Sequence, residues 1–156
     1  MEPTTSRKAD TQNASVQKLQ ELLRTELSAV ETYELALKSV SHVGLHRTLQ
    51  EILVSHSRRI PQIREKIIAM NGEPPASSGV WGAFAKVFQV GADILGDRVA
   101  IAALEEGEDH GVKMYAGDMT GVDAKTRKFI EGDLLPEQNR THALCRTLKS
   151  YVSAPS

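Results

Sequence analysis

Two stretches of this chain repeat one spacing. Glu26 is followed seven residues later by Tyr33, and Glu108 is followed seven residues later by Tyr115. Each Glu falls inside a run of apolar residues recurring at three- and four-residue steps, the period of one buried helical face. Around Glu26 these are Leu19, Leu22, Leu23, Val30 and Leu37; around Glu108 they are Ile101, Leu104 and Met119. A carboxylate facing a core is costly unless it is paired, hydrogen-bonded, protonated or bound to metal. Two histidines stand in comparable places, His56 on an apolar stripe of its own and His142 at the border of another. Carboxylates and imidazoles projected inward from several helices are the donor set of a metal held in a helix bundle. Hard oxygens with imidazole nitrogen suit Fe, Mn or Zn. The candidate ligands are therefore Glu26, His56, Glu108 and His142, with Tyr33 and Tyr115 as hydrogen-bonding neighbours. The competing chemistry needs no ion: a Glu–His or Glu–Tyr pair satisfies both partners inside a core and avoids an unpaired buried charge.

The elements that must position these groups read as helices throughout. A first helix runs over about 15–41 with Ser15 as its N-cap, and "SHVG" at 41–44 makes a turn. A second runs over about 45–71 on the stripe Leu45, Leu49, Ile52, His56, Ile60, Ile63, Ile67. Pro61 inside it predicts a bend about one turn beyond His56, and Asn71-Gly72 before Pro74-Pro75 is a stop signal. After a loop at 72–79, "VWGAFAKVFQVGADILG" predicts a short connecting helix. Its Trp81, Phe84 and Phe88 either seal the flank of the core or form a dimer interface. A third helix covers about 97–118, and a fourth covers about 123–152 with an interruption at Pro136. No segment alternates as a strand does. Short connections make the first and second helices, and the third and fourth, antiparallel neighbours; the long crossover makes the second and third parallel. The polar residues 1–14 read as a disordered arm, 15–152 as the folded unit and 153–156 as a frayed tail.

"ELLRTELSAVETYELAL", residues 21–37, resembles the first helix of bacterioferritin and rubrerythrin-type proteins, where a ligand Glu precedes a Tyr by seven. The later segments "GEPPASSGVWGAFAK", "ALEEGEDHGVKMY" and "LLPEQNRTH" resemble a narrower bacterial family of ferritin-like bundles known only as a conserved domain of unknown function. The resemblance spans about residues 15–152. It implies an all-α, ferritin-like four-helix bundle whose long crossover carries a short extra helix. From the wider superfamily it implies di-iron chemistry (oxidation, peroxide reduction or iron storage) and a bacterial stress setting. This chain departs from that pattern. A di-iron site of this kind takes Glu-x-x-His from the second and fourth helices. Here Leu53 stands three before His56 and Asn139 three before His142, so both bridging carboxylates are missing.

Helical rise adds a constraint. At roughly 1.5 Å per residue, Glu26, His56 and Glu108 lie about 21, 17 and 16 Å from their nearest turns, while His142 lies about 28 Å from its own. The first three share a layer and His142 sits beyond it. The expectation is a non-enzymatic ferritin-like bundle protein with a degenerate polar layer in its core. The alternative is a metalloprotein holding a single Fe, Mn or Zn through Glu26, His56 and Glu108, with or without His142, and redox active.

The whole chain narrows the field further. Its 156 residues suffice for one domain with a real core. A net charge of -1 supplies no field to draw in nucleic acid or an anionic membrane. Basic residues are scattered, pairs such as Arg58-Arg59 read as solvated helix surface, and no basic stripe with stacking aromatics argues for nucleic acid. The single cysteine, Cys145, permits no disulfide within the chain and reads as a buried, inert thiol. No apolar signal-peptide core and no run of about 18 apolar residues is present, so a cytoplasmic location is the expectation. A homo-oligomer is expected too, with the Trp81, Phe84 and Phe88 region as a dimer interface.

Overall fold

The structure is a computed structural model and describes residues 3–78 and 96–155. Among these residues every regular element is helical. Helix α1 spans Pro3–Ser39, α2 spans Val43–Ala69 and α3 spans Asp97–Ala116. The last rod is built in three pieces: α4 at Ala124–Phe129, a π-helical turn at Ile130–Leu134, and α5 at Leu135–Ser153. Trp81, Phe84 and Phe88, with the connecting helix predicted around them, lie outside the described residues.

The local chemistry accounts for most of these boundaries. At the end of α2, Asn71 adopts a left-handed φ of 58°. The Gly72 amide then reaches back to Ile67 O and the Asn71 amide to Ile68 O, the paired bonds that close a helix C-terminus. Helix α2 runs unbroken through Pro61, whose ring lies on the exposed side. Asp97, in the first turn of α3, accepts the amides of Ser41 and His42 at 2.8 Å each and so ties the α1–α2 turn to the start of α3.

Ser15 does not cap α1, because the helix already runs through residues 3–14. Its hydroxyl instead donates to Asp123 Oδ2 at 2.6 Å and accepts the Asp123 amide at 2.9 Å. Asp123 in turn accepts from the Thr126 amide and caps α4. The residue read as a cap for its own helix thus braces the cap of another.

The break expected at Pro136 takes a specific form. Proline has no amide hydrogen and its ring crowds the carbonyl four residues back. The chain widens there, with the Leu135 amide bonding Ile130 O in a five-residue step. One residue is thereby absorbed, and everything beyond turns onto a new register.

Helix α1 packs on α2, α3 on α5, α2 on α5 and α1 on α3. Directions follow from paired contacts. Tyr33 meets Glu108 while Tyr115 meets Glu26, so α1 and α3 are antiparallel. Glu51 meets Arg140 while Ser55 meets Glu137, so α2 and α5 are antiparallel. Gln12 bonds Met70 O while Glu26 meets His56, so α1 and α2 are antiparallel as well, and α2 and α3 run the same way. The apolar core is divided in two. One cluster, with Val40, Leu45, Leu49, Ile101 and Leu104, fills the end near the α1–α2 turn. The other, with Leu19, Leu23, Ile63, Ile67 and Ile130, fills the opposite end. Between them lies a layer of polar side chains.

Candidate functional site

The layer is built from one turn of each rod. Helix α1 contributes Glu26 and α3 contributes Glu108, 0% and 1% exposed. Helix α2 contributes His56 and Arg59, and α5 contributes Gln138 and Thr141, all within 3% of complete burial. Tyr33 closes the layer toward one apolar cluster and Tyr115 toward the other.

His56 is the bridge. Its Nδ1 lies 2.6 Å from Glu26 Oε2 and its Nε2 lies 2.8 Å from Glu108 Oε1. A neutral imidazole has one donor nitrogen, so it would aim a lone pair at one of the two carboxylates. The imidazolium donates to both. Burial disfavours that cation, but the Glu26 and Glu108 charges outweigh it and raise its pKa to about 9. Burial likewise opposes ionisation of Glu26, yet His56 and Arg59 bring its pKa below the ordinary 4.5. For Glu108, burial is overcome by His56, with Tyr33 and Thr141 adding hydrogen bonds.

Arg59 is the second internal cation. Its Nη1 donates to Glu26 Oε1 at 3.1 Å and to Gln138 Oε1. Its Nη2 donates to Ser55 Oγ at 3.1 Å and to Thr141 Oγ1 at 3.3 Å. Two carboxylates against one imidazolium and one guanidinium leave the layer neutral. The remaining acceptors are also used. Gln138 Nε2 donates to Glu108 Oε2 at 2.9 Å, Thr141 Oγ1 donates to the same oxygen at 2.8 Å, and Tyr33 donates to Glu108 Oε1 at 2.7 Å. Tyr115 donates to Glu26 Oε1. Each cation has an aromatic roof: Tyr33 stacks on His56 with centroids 5.5 Å apart, and the Arg59 guanidinium lies 5.9 Å from the Tyr115 ring centre. Burial, then the facing carboxylate, pushes both tyrosine hydroxyls well above their usual range, so they remain donors.

Of the residues singled out from sequence, Glu26, His56, Glu108, Tyr33 and Tyr115 converge here. His142 does not. It is half-buried beside Glu105 at 3.3 Å, in the outer groove between α3 and α5. Arg59, which the sequence suggests is solvated surface, is buried here, and Ser55, Gln138 and Thr141 join it. Their signal was present: Gln138 and Thr141 complete the steps Ile130, Leu134, Gln138, Thr141, Cys145, Leu148 on the buried face. Arg59 lies seven after Ile52 and four before Ile63 on the face of α2 that carries His56. Cys145 is buried next to this layer, and burial followed by the Glu108 charge pushes its thiol pKa up, away from nucleophilic character. Among the described residues, no three His, Cys, Asp or Glu side chains are placed to hold a metal ion together. No described helix is long and apolar enough to cross a membrane.

A neutral, closed layer of two Glu, His and Arg, braced by two crossed tyrosines, therefore lies at the centre of a protein whose described elements are all helical. Residues 14–119 match the family described as Domain of unknown function (DUF2383), and the chain belongs to that family. The matched span contains Glu26, Tyr33, His56, Arg59, Glu108 and Tyr115. No curated protein and no solved structure matched the chain.

Proposed function

We propose that this chain is a ferritin-like four-helix bundle in which the chain's own cations have taken over the metal positions, and that it works as a non-catalytic bundle protein through self-association or partner binding. The observation that carries this reading is the spacing of the layer. Ferritin-like di-metal sites take one Glu from each of two helices and a pair at i, i+3 from each of the other two. The same six places here hold Glu26, Glu108, His56 with Arg59, and Gln138 with Thr141. The two lone Glu are kept, and both Glu-x-x-His pairs are replaced. The parallel run of α2 and α3 supports the same architecture.

A metal does not fit the layer as arranged. The two carboxylates approach opposite nitrogens of one imidazole, so the three groups cannot converge on a single ion. His56 and Arg59 together already supply the two positive charges a divalent ion would bring. Catalysis by these groups is equally disfavoured. A general acid or base must reach a substrate proton, and each of these is out of solvent with its hydrogen-bonding capacity spent on protein partners.

The test is metal content per chain, measured on tag-free protein purified without chelator and again after anaerobic Fe(II) loading. The expected result is well under one metal per chain in both, with Glu26→Ala changing stability alone. The positive control is the chain carrying His56→Glu, Arg59→His, Gln138→Glu and Thr141→His together, which restores the six-ligand pattern and is expected to take up two metals. Stoichiometric iron in the unmodified chain, abolished by Glu26→Ala, would overturn this reading in favour of a redox-active metalloprotein. Light scattering on the same preparation reads the homo-oligomer directly.

A further inference from the structure

Away from the core layer, one surface feature gathers like charge. The groove between α2 and α5 widens into a cleft of about 420 Å³ whose lining includes Arg47, Gln50, Glu51, Ser55, Arg58 and Arg140. Arg47, Glu51, Ser55 and Arg58 follow one another at steps of four, four and three, so they share one face of α2. Arg140 enters from α5. Its Nη1 donates to Glu51 at 2.7 Å and its Nη2 to Glu137 at 2.6 Å. Hydrogen bonding from Arg140, with Ser55 adding to it, lowers the Glu137 pKa to about 2, so that acid is fully charged. Arg47 and Arg58 are different: neither forms a hydrogen bond or ion pair with any described residue, and both are exposed.

Three guanidiniums against Glu51 and Glu137 leave the cleft with an excess positive charge. Like charges along a concave wall raise each other's energy and draw in a counter-charge. Guanidinium donors are forked to match the paired oxygens of phosphate or carboxylate. The floor is stiff as well. Ser55 is 4% exposed, and its hydroxyl donates to Glu137 and accepts from Arg59, so the cleft rests directly on the core layer. Arg47 and Arg58 are eleven residues apart, about 16 Å along the helix. A ligand engaging both must carry more than one anionic group.

We infer that the α2–α5 cleft is a binding site for a small multivalent oxyanion, held by Arg47 and Arg58 at its two ends with Arg140 between them. Binding is electrostatic and weakens with salt. This site is independent of whether the core layer binds metal.

Isothermal titration of the full chain at low ionic strength tests it, with pyrophosphate as the phosphate probe and citrate as the carboxylate probe. The expected result is saturable binding of one anion per chain. The Arg47→Ala/Arg58→Ala double variant is expected to weaken it by about tenfold or more. Neither side chain has a partner among the described residues, so the variant should melt where the parent does. Arg24→Ala, on an exposed part of α1, is expected to change nothing. The probe that binds more tightly assigns the oxyanion to the phosphate or the carboxylate class. No saturable binding of either probe, or binding that the double variant leaves within about threefold, would overturn the proposal.

Discussion

Tyr115 gives its hydroxyl to Glu26 on the neighbouring rod, not to the Glu108 that precedes it on its own helix. Tyr33 completes the exchange by donating to Glu108 at 2.7 Å. A Glu and a Tyr seven residues apart on one helix are separated by about 10.5 Å along its axis. The crossed pairing therefore closes only when α1 and α3 are antiparallel and Glu26 is level with Tyr115. A slip of one turn would strand two buried carboxylates, so the exchange acts as a register lock between the two halves of the chain.

Tyr33→Phe and Tyr115→Phe each remove one donor from a buried carboxylate oxygen that keeps a second, cationic partner. The expected loss is about 1–2 kcal/mol for each variant. Combining Tyr115→Phe with Glu26→Gln should cost less than the two single changes added together, because both act on one contact. Urea unfolding midpoints at constant slope provide the measurement. Losses below a few tenths of a kcal/mol would mean the hydroxyls are not bonded in solution.

The charges in the layer give the protein a defined pH window. His56 has a folded pKa of about 9 against an ordinary 6.5, so its contribution is fully present below 6.5 and is lost as the pH rises through about 9. Glu26 and Glu108 lie below 4.5 when folded, so theirs is present above 4.5 and lost as the pH falls below it. Stability should therefore plateau between these limits. At about 1.4 kcal/mol per pH unit, the alkaline limb from His56 amounts to about 3 kcal/mol. His56→Gln should flatten that limb. NMR of the His56 ring is the direct check, and an imidazole titrating near 6.5 in the folded protein would remove the basis for the window.

Arg59 is 1% exposed and holds Glu26, Gln138, Ser55 and Thr141 together. Arg59→Met leaves two carboxylates facing a single imidazolium. Breaking a buried pair from one side typically costs about 3–5 kcal/mol. Adding Glu26→Gln restores neutrality and should recover part of that loss. If Arg59→Met is neutral while the added Glu26→Gln destabilises, the guanidinium is not the counter-charge assigned to it.

The helices could be read from the chain because periodicity and stop signals agree over long spans: the 3.6-residue stripe of α2 and the Asn71-Gly72 ending are both strong, local features. Glu26, His56 and Glu108 were legible because each interrupts such a stripe with a charge. Arg59 was harder to see. A long basic side chain beside a second arginine usually reaches solvent, and what holds it inside comes from α1 and α5, which α2 alone does not reveal. His142 misled for a different reason. It borders an apolar stripe as a ligand would, yet counting along the fourth rod already set it beyond the layer, and that count ignores the residue taken up by the π turn at Ile130–Leu134. That turn and the true face of α5 bring Gln138 and Thr141, which are uncharged and do not look like ligands, into the layer.

Two glycines turn this packing into a test with opposite signs. Gly111, on α3, faces Gln138: a methyl group placed there would lie 3.0 Å from Gln138 Cδ and closer still to its amide nitrogen. Gly132, in the π turn, faces nothing within 4 Å and has an ordinary negative φ. Replacing a helical glycine with alanine normally stabilises by about 0.5–1 kcal/mol, and Gly132→Ala should do so. Gly111→Ala should reverse the sign. The carboxamide of Gln138 cannot retreat without giving up its bonds to Glu108 and Arg59. Losing those bonds inside a core costs about 1–3 kcal/mol, more than the helix gains. Thermal melts should move in opposite directions, by about 2–4 °C per kcal/mol for a chain of this size. With Gln138→Ala in the background the clash is gone, and Gly111→Ala should turn from destabilising to neutral or better. If it stays equally destabilising there, Gln138 is not what fills the space beside Gly111.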